Sequence, residues 1–501
     1  MMNPHNTEII TGLSLAGIIP CMTKTLTKKL SNIDNAVALH QADYDQLLSS
    51  LEAKFKEVQN NLVTANGAKP LEYYKWLDFD YLLEANQETK ALAKAMLAKN
   101  YQHYLIVGMG GSGINSLVLQ NSLNEFTPSG NKFTVQNNLD PSSLLARLDS
   151  IDLDSTLFVF ISKSGTTDEV RRNVATILDH WDRHPAKQSF ASDVDTKEVG
   201  TVQSTSSTNG DSCREESQNC HAKFAAQSVF ITEPAREGKK NFLHDLRTEL
   251  KAKTGTEPPF LANDPNIGGR FSMFSPVGMF TAELMGLDSD AMIKAAADVF
   301  EDFKAAQSIQ ESEAAKIAAL DILLTQKGLQ NRYSMVYADS FEALNKFRAQ
   351  LKGESLNKTG VASTIQVPGV GTANHHSDLE LLFKKDNKLV LEQIYWGKPA
   401  QDHVNSKSLD CLDDLVGQSN HQSLIDNHII ALGKYLIDNK AVVIQTIIPE
   451  QNEKYLSQFC MQDMLITIVQ GGLQDPVGSS TILDLVIRQE EVERYKKSLK
   501  K

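Results

Sequence analysis

Long apolar runs are missing from this 501-residue chain. No stretch approaches the roughly 20 residues that a membrane helix needs, so a role in or on a membrane is not expected. The first residues, MMNPHNTEIITGLSLAGIIPC, lack the positively charged start of a secretory signal, and Thr11, Gly12 and Ser14 interrupt their apolar stretch. Cysteine is scarce: Cys21, Cys213, Cys220, Cys411 and Cys460 are odd in number and scattered, without C-x-x-C spacing. That pattern offers neither a disulfide framework nor a zinc site and fits a reducing, cytoplasmic compartment. Positive charge is also short, with 50 Lys and Arg against 62 Asp and Glu and a net charge of −12. Nucleic acid is therefore not an expected partner, because neutralising phosphates along a strand needs a basic face. A small anionic substrate stays open, since a local cationic site can sit on an acidic protein.

What remains is ordinary globular composition, 41% hydrophobic and 22% charged. Helical spacing is expected from about Leu26 to Leu62, on Leu47, Leu48, Leu51, Phe55, Val58 and Leu62, with a stop at Asn66-Gly67. A second helix to about residue 100 leads into the strand HYLIVG, a glycine turn and the helix INSLVLQNSLNEF. KFTVQNN and PSSLLARL form a second strand and helix, and STLFVFISKSGTTDEVRRNVATILDHW a third. This alternation predicts a parallel sheet wrapped on both faces. From about 184 to 226 the pattern stops in a polar stretch expected to be a mobile surface insertion, before the strand SVFIT. After a turn through NDPNIGGRFSMFSPVGMFTAELMG, an Ala-rich helix is expected from Ala291 to about Lys327. A second α/β pattern follows in YSMVYAD, SFEALNKFRAQLKGES, STIQV, KLVLEQIYW and AVVIQTIIP. The expected architecture is α/β: two doubly wound α-β-α sandwich domains, with helical N- and C-terminal segments. The first domain spans 75–255 and the second, larger one 1–74 plus 256–501.

VGMGGSGI contains G-x-G-x-x-G at Gly108, Gly110 and Gly113, directly after a strand. The pattern alone suggests a dinucleotide, but that site also needs an acidic residue at the end of the next strand to hold the ribose. Here KFTVQ ends in Asn137 and Asn138, and Asp140 arrives only in the turn. A glycine turn opening a helix binds any phosphate through backbone N–H groups. The hydroxyl-dense turn SKSGTT, Ser162 to Thr167, follows another buried strand. Gly111, Ser112, Ser162, Lys163, Ser164, Thr166 and Thr167 together would wrap a monophosphate.

GGSG at 110–113 and SKSGTT at 162–167 resemble the sugar-isomerase phosphate-binding fold. IGGRFSMFSPVG (267–278), QLKGESLNKTG (350–360) and QEEVERYKKSL (489–499) narrow the resemblance to the glucose-6-phosphate isomerase family. The resemblance implies reversible isomerisation of glucose 6-phosphate and fructose 6-phosphate in glycolysis and gluconeogenesis, by ring opening and proton transfer through a cis-enediolate. It implies Glu354 as the base, Arg270 as the cation that stabilises the enediolate, and His376 as the ring-opening group, with His375 a live alternative. Lys496 matches the family's C-terminal active-site lysine, Gln489 its phosphate-contacting glutamine and Gln350 a substrate-contacting glutamine. Glu490 and Glu491 depart from the family pattern between them. The family's histidine enters the neighbouring subunit's site, so a homodimer with shared active sites is implied. No cofactor is implied and no metal is needed; His375 and His376 are adjacent, not four apart as a helical zinc pair would be. Alternatives are a dual phosphoglucose/phosphomannose isomerase, a non-catalytic sugar-phosphate-sensing module, and a nicotinamide dehydrogenase.

Overall fold

Among the described residues, ten short strands carry the architecture, and most are buried along their length. In chain order they are β1 (Thr27–Ser31), β2 (His103–Gly108), β3 (Lys132–Gln136), β4 (Thr156–Ile161), β5 (Ser228–Thr232), β6 (Phe260–Ala262), β7 (Asn331–Val336), β8 (Ile365–Val370), β9 (Leu389–Trp396) and β10 (Val442–Ile448). The computed structural model describes residues 27–31, 41–64, 74–123, 132–183, 219–356, 364–383, 388–403, 421–439, 441–474, 494, 495 and 498. The chain divides into two units: a glycine-loop unit, Tyr73–Gln120 with Thr127–Ser289, and a C-terminal unit, Met1–Glu72, Asn121–Phe126 and Asp290–Lys501.

The glycine-loop unit holds a five-stranded sheet of order β3-β2-β4-β5-β6, parallel throughout. Strands such as LFVFI are apolar on both faces because helices cover both. One side of the core packs Phe158, Phe160 and Phe230 against Val174, Ile177 and Trp181 of the helix Asp168–Asp182, and against Leu243 and Leu250 of the helix Phe242–Thr254. By chain position within the unit the order is 2-1-3-4-5, so the winding reverses beside β2. An open α/β sheet forms its ligand crevice outside the strands' C-terminal ends at such a reversal.

The C-terminal unit repeats that winding. Its order is β1-β10-β9-β7-β8, with β7 to β10 parallel and β1 antiparallel on the β10 edge. The helix Glu453–Gln474 is buried from Leu456 to Leu473, apolar on nearly every side as a central helix must be. Helix Gln41–Thr64 lies against it so closely that a Cβ on Gly472 would stand 2.6 Å from a Val58 methyl.

Several sequence expectations change. Residues 27–31 form a strand, not the start of the helix expected from Leu26, which begins at Gln41. The boundary expected at 255 falls after Ser289. β6 pairs with β5, Asn115 Nδ2 donates to Ser272 Oγ at 3.0 Å, and Ser116 and Thr281 hydroxyls pair at 2.9 Å, which ties 256–289 to the glycine-loop unit. Part of the expected turn is the buried helix Pro276–Leu284. The Ala-rich helix is two, Ser289–Ala305 and Glu313–Gln326, the second started by Ser312, whose hydroxyl accepts from Ala315 N–H. The insertion ends early: 219–226 is helical and Phe224 belongs to the core, because it fills space against Phe158, Phe160 and Trp181. Residues 184–218 of that stretch, Cys213 among them, lie outside the described residues. No described helix is long and apolar enough to cross a membrane.

Candidate active site

The two turns singled out in the sequence follow β2 and β4, neighbours in the sheet at the winding reversal. After β2 the chain turns through Gly110, whose φ of 56° is left-handed, and enters the helix Gly111–Leu123. A Cβ on Gly111 would stand 1.9 Å from Gly269 O and 2.9 Å from Arg270 N. Two backbones therefore touch where a side chain would separate them, so the GGSG turn and the GGR turn form one wall. Ser112 is buried in that wall. We expect Gly111→Ala to push the 268–270 turn away. It should weaken inorganic phosphate binding at least tenfold by titration calorimetry and lower stability by about 1–3 kcal/mol, the usual cost of overpacking; unchanged phosphate affinity would refute the shared wall.

After β4, Ser162 and Thr167 hydroxyls pair at 3.1 Å, and Ser164 and Thr166 at 2.8 Å. Thr167 occupies the N-cap of the helix Asp168–Asp182, yet its side chain makes no capping bond. Gly165 holds the turn, with φ of 62° and the Asn241 amide packed where a Cβ would be. Gly165 O also accepts from Phe242 N–H at 2.9 Å.

Two cations converge on this region. Burial lowers the Lys163 pKa from the ordinary lysine value; Lys239 and Arg270 add to the fall, and Glu233 and Asp264 oppose it. Arg270 is buried, with its guanidinium carbon 5.0 Å from the Phe271 ring centre, and the Trp76 ring stacks on Phe271 at 4.9 Å. Glu233, unremarked in the sequence, is buried beside them. It pairs with Lys239, donates its N–H to Lys163 O at 2.9 Å, and offsets the gathered positive charge. Asp140, the missing ribose acid, instead caps the helix Pro141–Asp149, accepting from Ser143 N–H at 3.1 Å.

In the C-terminal unit, Gln350 and Glu354 share one face of the helix Glu342–Leu356, and Gln350 Nε2 donates to Glu354 Oε1 at 2.9 Å. The opposite face, about 200° away at 100° per residue, carries buried Arg348 and Lys352. Arg348 donates to both Glu392 oxygens at 3.0 Å, to Asp463 at 2.6 Å and to Ser334 Oγ at 2.8 Å. Lys352 and Arg332 both reach Asp321. Sequence reading missed this network, although two cations four residues apart among Leu344, Leu351 and Ser355 are its visible trace.

Downstream of β8, Asn374 ties the segment down by accepting from Val370 N–H at 2.7 Å and donating to Asp378 at 2.6 Å. His376 is exposed, whereas His375 is half-buried against Tyr337. Burial, then His428 and His376, lower the His375 pKa. Thus the cradle residues and Arg270 gather in one unit, and Gln350, Glu354, His375 and His376 lie in the other. Gln489 and Lys496 lie outside the described residues. Among the described residues no cluster of three or more His, Cys, Asp or Glu is placed to hold a metal ion.

A twice-used 2-1-3-4 winding, with a glycine turn and a hydroxyl turn at the reversal of one sheet, defines the class: this is an α/β protein of the sugar-isomerase fold. Solved structures agree on the fold. A hypothetical protein of Thermus thermophilus superposes with a TM-score of 0.73 at 21% identity, covering 95% of this chain and 99% of that one. A glucose-6-phosphate isomerase of Chlamydia trachomatis superposes at 0.67 and 14% identity, covering 95% and 88%. In sequence, the glucose-6-phosphate isomerase of Carboxydothermus hydrogenoformans is 27% identical over 298 residues, 56% of this chain and 54% of that one. A family model described as phosphoglucose isomerase matches residues 86–210, which include both phosphate turns. The chain is thus similar to the phosphoglucose isomerase family over residues 86–210, and to curated glucose-6-phosphate isomerases at 27–28% identity. It spans 54% to 65% of the length of three curated glucose-6-phosphate isomerases that it matches.

Proposed function

We propose that the chain interconverts glucose 6-phosphate and fructose 6-phosphate, in the cytoplasm, as a step of glycolysis and gluconeogenesis. The observation that carries this reading is the glycine turn after β2 walled against the Arg270 turn, with the hydroxyl turn following the neighbouring strand β4 at the winding reversal. Ser112, Ser162, Lys163, Ser164, Thr166 and Thr167 bind the substrate phosphate, with Gln489 completing the contacts. His376 and Lys496 move the protons that open the sugar ring. Glu354 then takes the C2 proton of the open-chain aldose and returns it to C1, while Arg270 stabilises the enediolate oxygen formed between the two steps. Gln350 donates to the carboxylate and fixes its direction. Neither a cofactor nor a metal takes part. The chain works as a homodimer, and the exposure of His376 supports its use by a second copy.

A coupled assay of fructose 6-phosphate conversion to glucose 6-phosphate, without added metal, tests the reading. We expect steady turnover, with mannose 6-phosphate turned over about 100-fold more slowly, the scale that differential contacts to one hydroxyl supply without an unpaired buried polar group. Comparable rates on the two sugars would make the protein a dual phosphoglucose/phosphomannose isomerase. Binding of sugar phosphate without turnover would make it a sensing module, and saturable NAD binding would reinstate the dehydrogenase.

A further inference from the structure

Two tyrosines near the C-terminal end of β7 clamp the segment that carries the adjacent histidines. Tyr333 OH donates to Asp378, which in turn accepts from Asn374. Tyr337 lies under the start of the segment: a Cβ on Gly371 would stand 2.5 Å from its ring, and Gly371 N–H donates to Val336 O at 2.8 Å. The Tyr337 hydroxyl then meets His375 Nε2 at 3.0 Å, with the rings edge to face at 5.6 Å.

The hydrogen-bond chain behind Tyr337 bears on where the protons are. Gln393 Nε2 faces the Ile429 carbonyl at 3.0 Å, and a carbonyl only accepts, so the amide nitrogen must point there. Gln393 Oε1 accepts from Gln445 Nε2 at 3.0 Å, which agrees with that orientation. The second hydrogen on Gln393 Nε2 goes to Tyr337 OH at 3.1 Å. Tyr337 is thus an acceptor from Gln393, and its own proton has His375 Nε2 as its acceptor among the described residues. With Nε2 as the acceptor of that proton, the His375 ring is neutral with its hydrogen on Nδ1. His428, with its ring centre 5.3 Å from that of His375, adds a second titratable group that disfavours charge there.

We propose that His375 is a positioning residue: as a neutral acceptor for Tyr337 it pins the segment from Gly371 to Asp378 and so sets the direction of His376, the histidine of the pair that takes part in ring opening. This rests on the isomerase reading for its catalytic consequence, whereas the proton placement is independent of that reading.

The test uses the full chain labelled with 15N-histidine, which has 12 histidines to resolve. The His375 signals, identified by their loss in His375→Gln, should show an unprotonated Nε2 and a protonated Nδ1 at neutral pH, and should change in Tyr337→Phe. An Nε2-protonated or doubly protonated ring overturns the proposal. In turnover, Tyr337→Phe and His375→Leu should each lower kcat roughly tenfold, the scale of one lost buried hydrogen bond, with the double variant no worse than either single one. His375→Gln, whose amide oxygen takes the place of Nε2, should recover most of that loss, which a merely structural cavity effect would not allow. His376→Gln should be far more damaging than either. A His375→Leu variant as inactive as His376→Gln, or one indistinguishable from wild type, overturns the positioning role. A wild-type chain without isomerase turnover overturns the functional reading instead, and the nitrogen signals then decide the His375–Tyr337 contact by themselves.

Discussion

Replacing Glu354 with Gln is expected to lower kcat for fructose 6-phosphate by about a thousandfold, within the range that a general base supplies. The substitution keeps the shape of the side chain and an oxygen that can still accept from Gln350, whose amide lies 2.9 Å from the carboxylate. What it removes is the ability to hold the C2 proton between abstraction and return. Binding should hardly change, because the phosphate turns belong to the other unit of the chain. Inorganic phosphate should therefore inhibit or bind the variant with an affinity within about threefold of wild type, the pattern of an interaction made only in the transition state. Loss of phosphate binding along with turnover would point to a damaged fold. A kcat within tenfold of wild type would take the role of base away from Glu354.

The two turns after β2 and β4 were legible because their signal is local. A buried apolar strand, a glycine or hydroxyl turn and a helix start lie within a dozen residues in both GGSG and SKSGTT, and each is set by backbone demands at Gly110, Gly111 and Gly165. The absence of a ribose acid was equally local, and Asp140 proves to be occupied as a helix cap. β1 was not legible, since TKKLS has no strong pattern of its own and gains its hydrogen bonds only from the β10 edge. The helix Pro276–Leu284 was hidden by the opposite cause: its serine, proline and glycine content resembles a turn, yet Ser275 and Pro276 are its cap and first residue, and Gly278 lets it approach Met273 O. The contacts of His375 with Tyr337 and of Arg348 with Glu392 and Asp463 lie beyond any local signal, because these partners stand 38 to 115 residues away in the chain.

Arg348 carries the second large expectation, on stability. It is buried with Glu392 and Asp463, and Arg332, Lys352 and Asp321 complete a set of three cations and three carboxylates in the same interior. Burial alone would lower the Arg348 pKa, but Asp463 and Glu392 outweigh it and raise the value. The charges are therefore mutually dependent: each is tolerable only because the others neutralise it. Arg348→Met keeps most of the volume and leaves Asp463 and Glu392 without their main partner, although Arg332 remains 3.8 Å from Glu392. The expected cost is about 3–5 kcal/mol, the measured scale for breaking a buried pair by removing one side. That corresponds to a fall of roughly 10 °C in the melting of the C-terminal unit, followed by calorimetry on the full chain. Adding Asp463→Leu should return part of the loss, because the buried carboxylate that Arg348 neutralised goes with it; a double variant less stable than the single one would refute the pairing. Arg348 and Lys352 sit on the face opposite Gln350 and Glu354, so the network also holds the helix that carries Glu354. Arg348→Met should for that reason lose turnover well below its melting temperature, and a variant that melts early yet turns over normally would separate the network from the aim of Glu354.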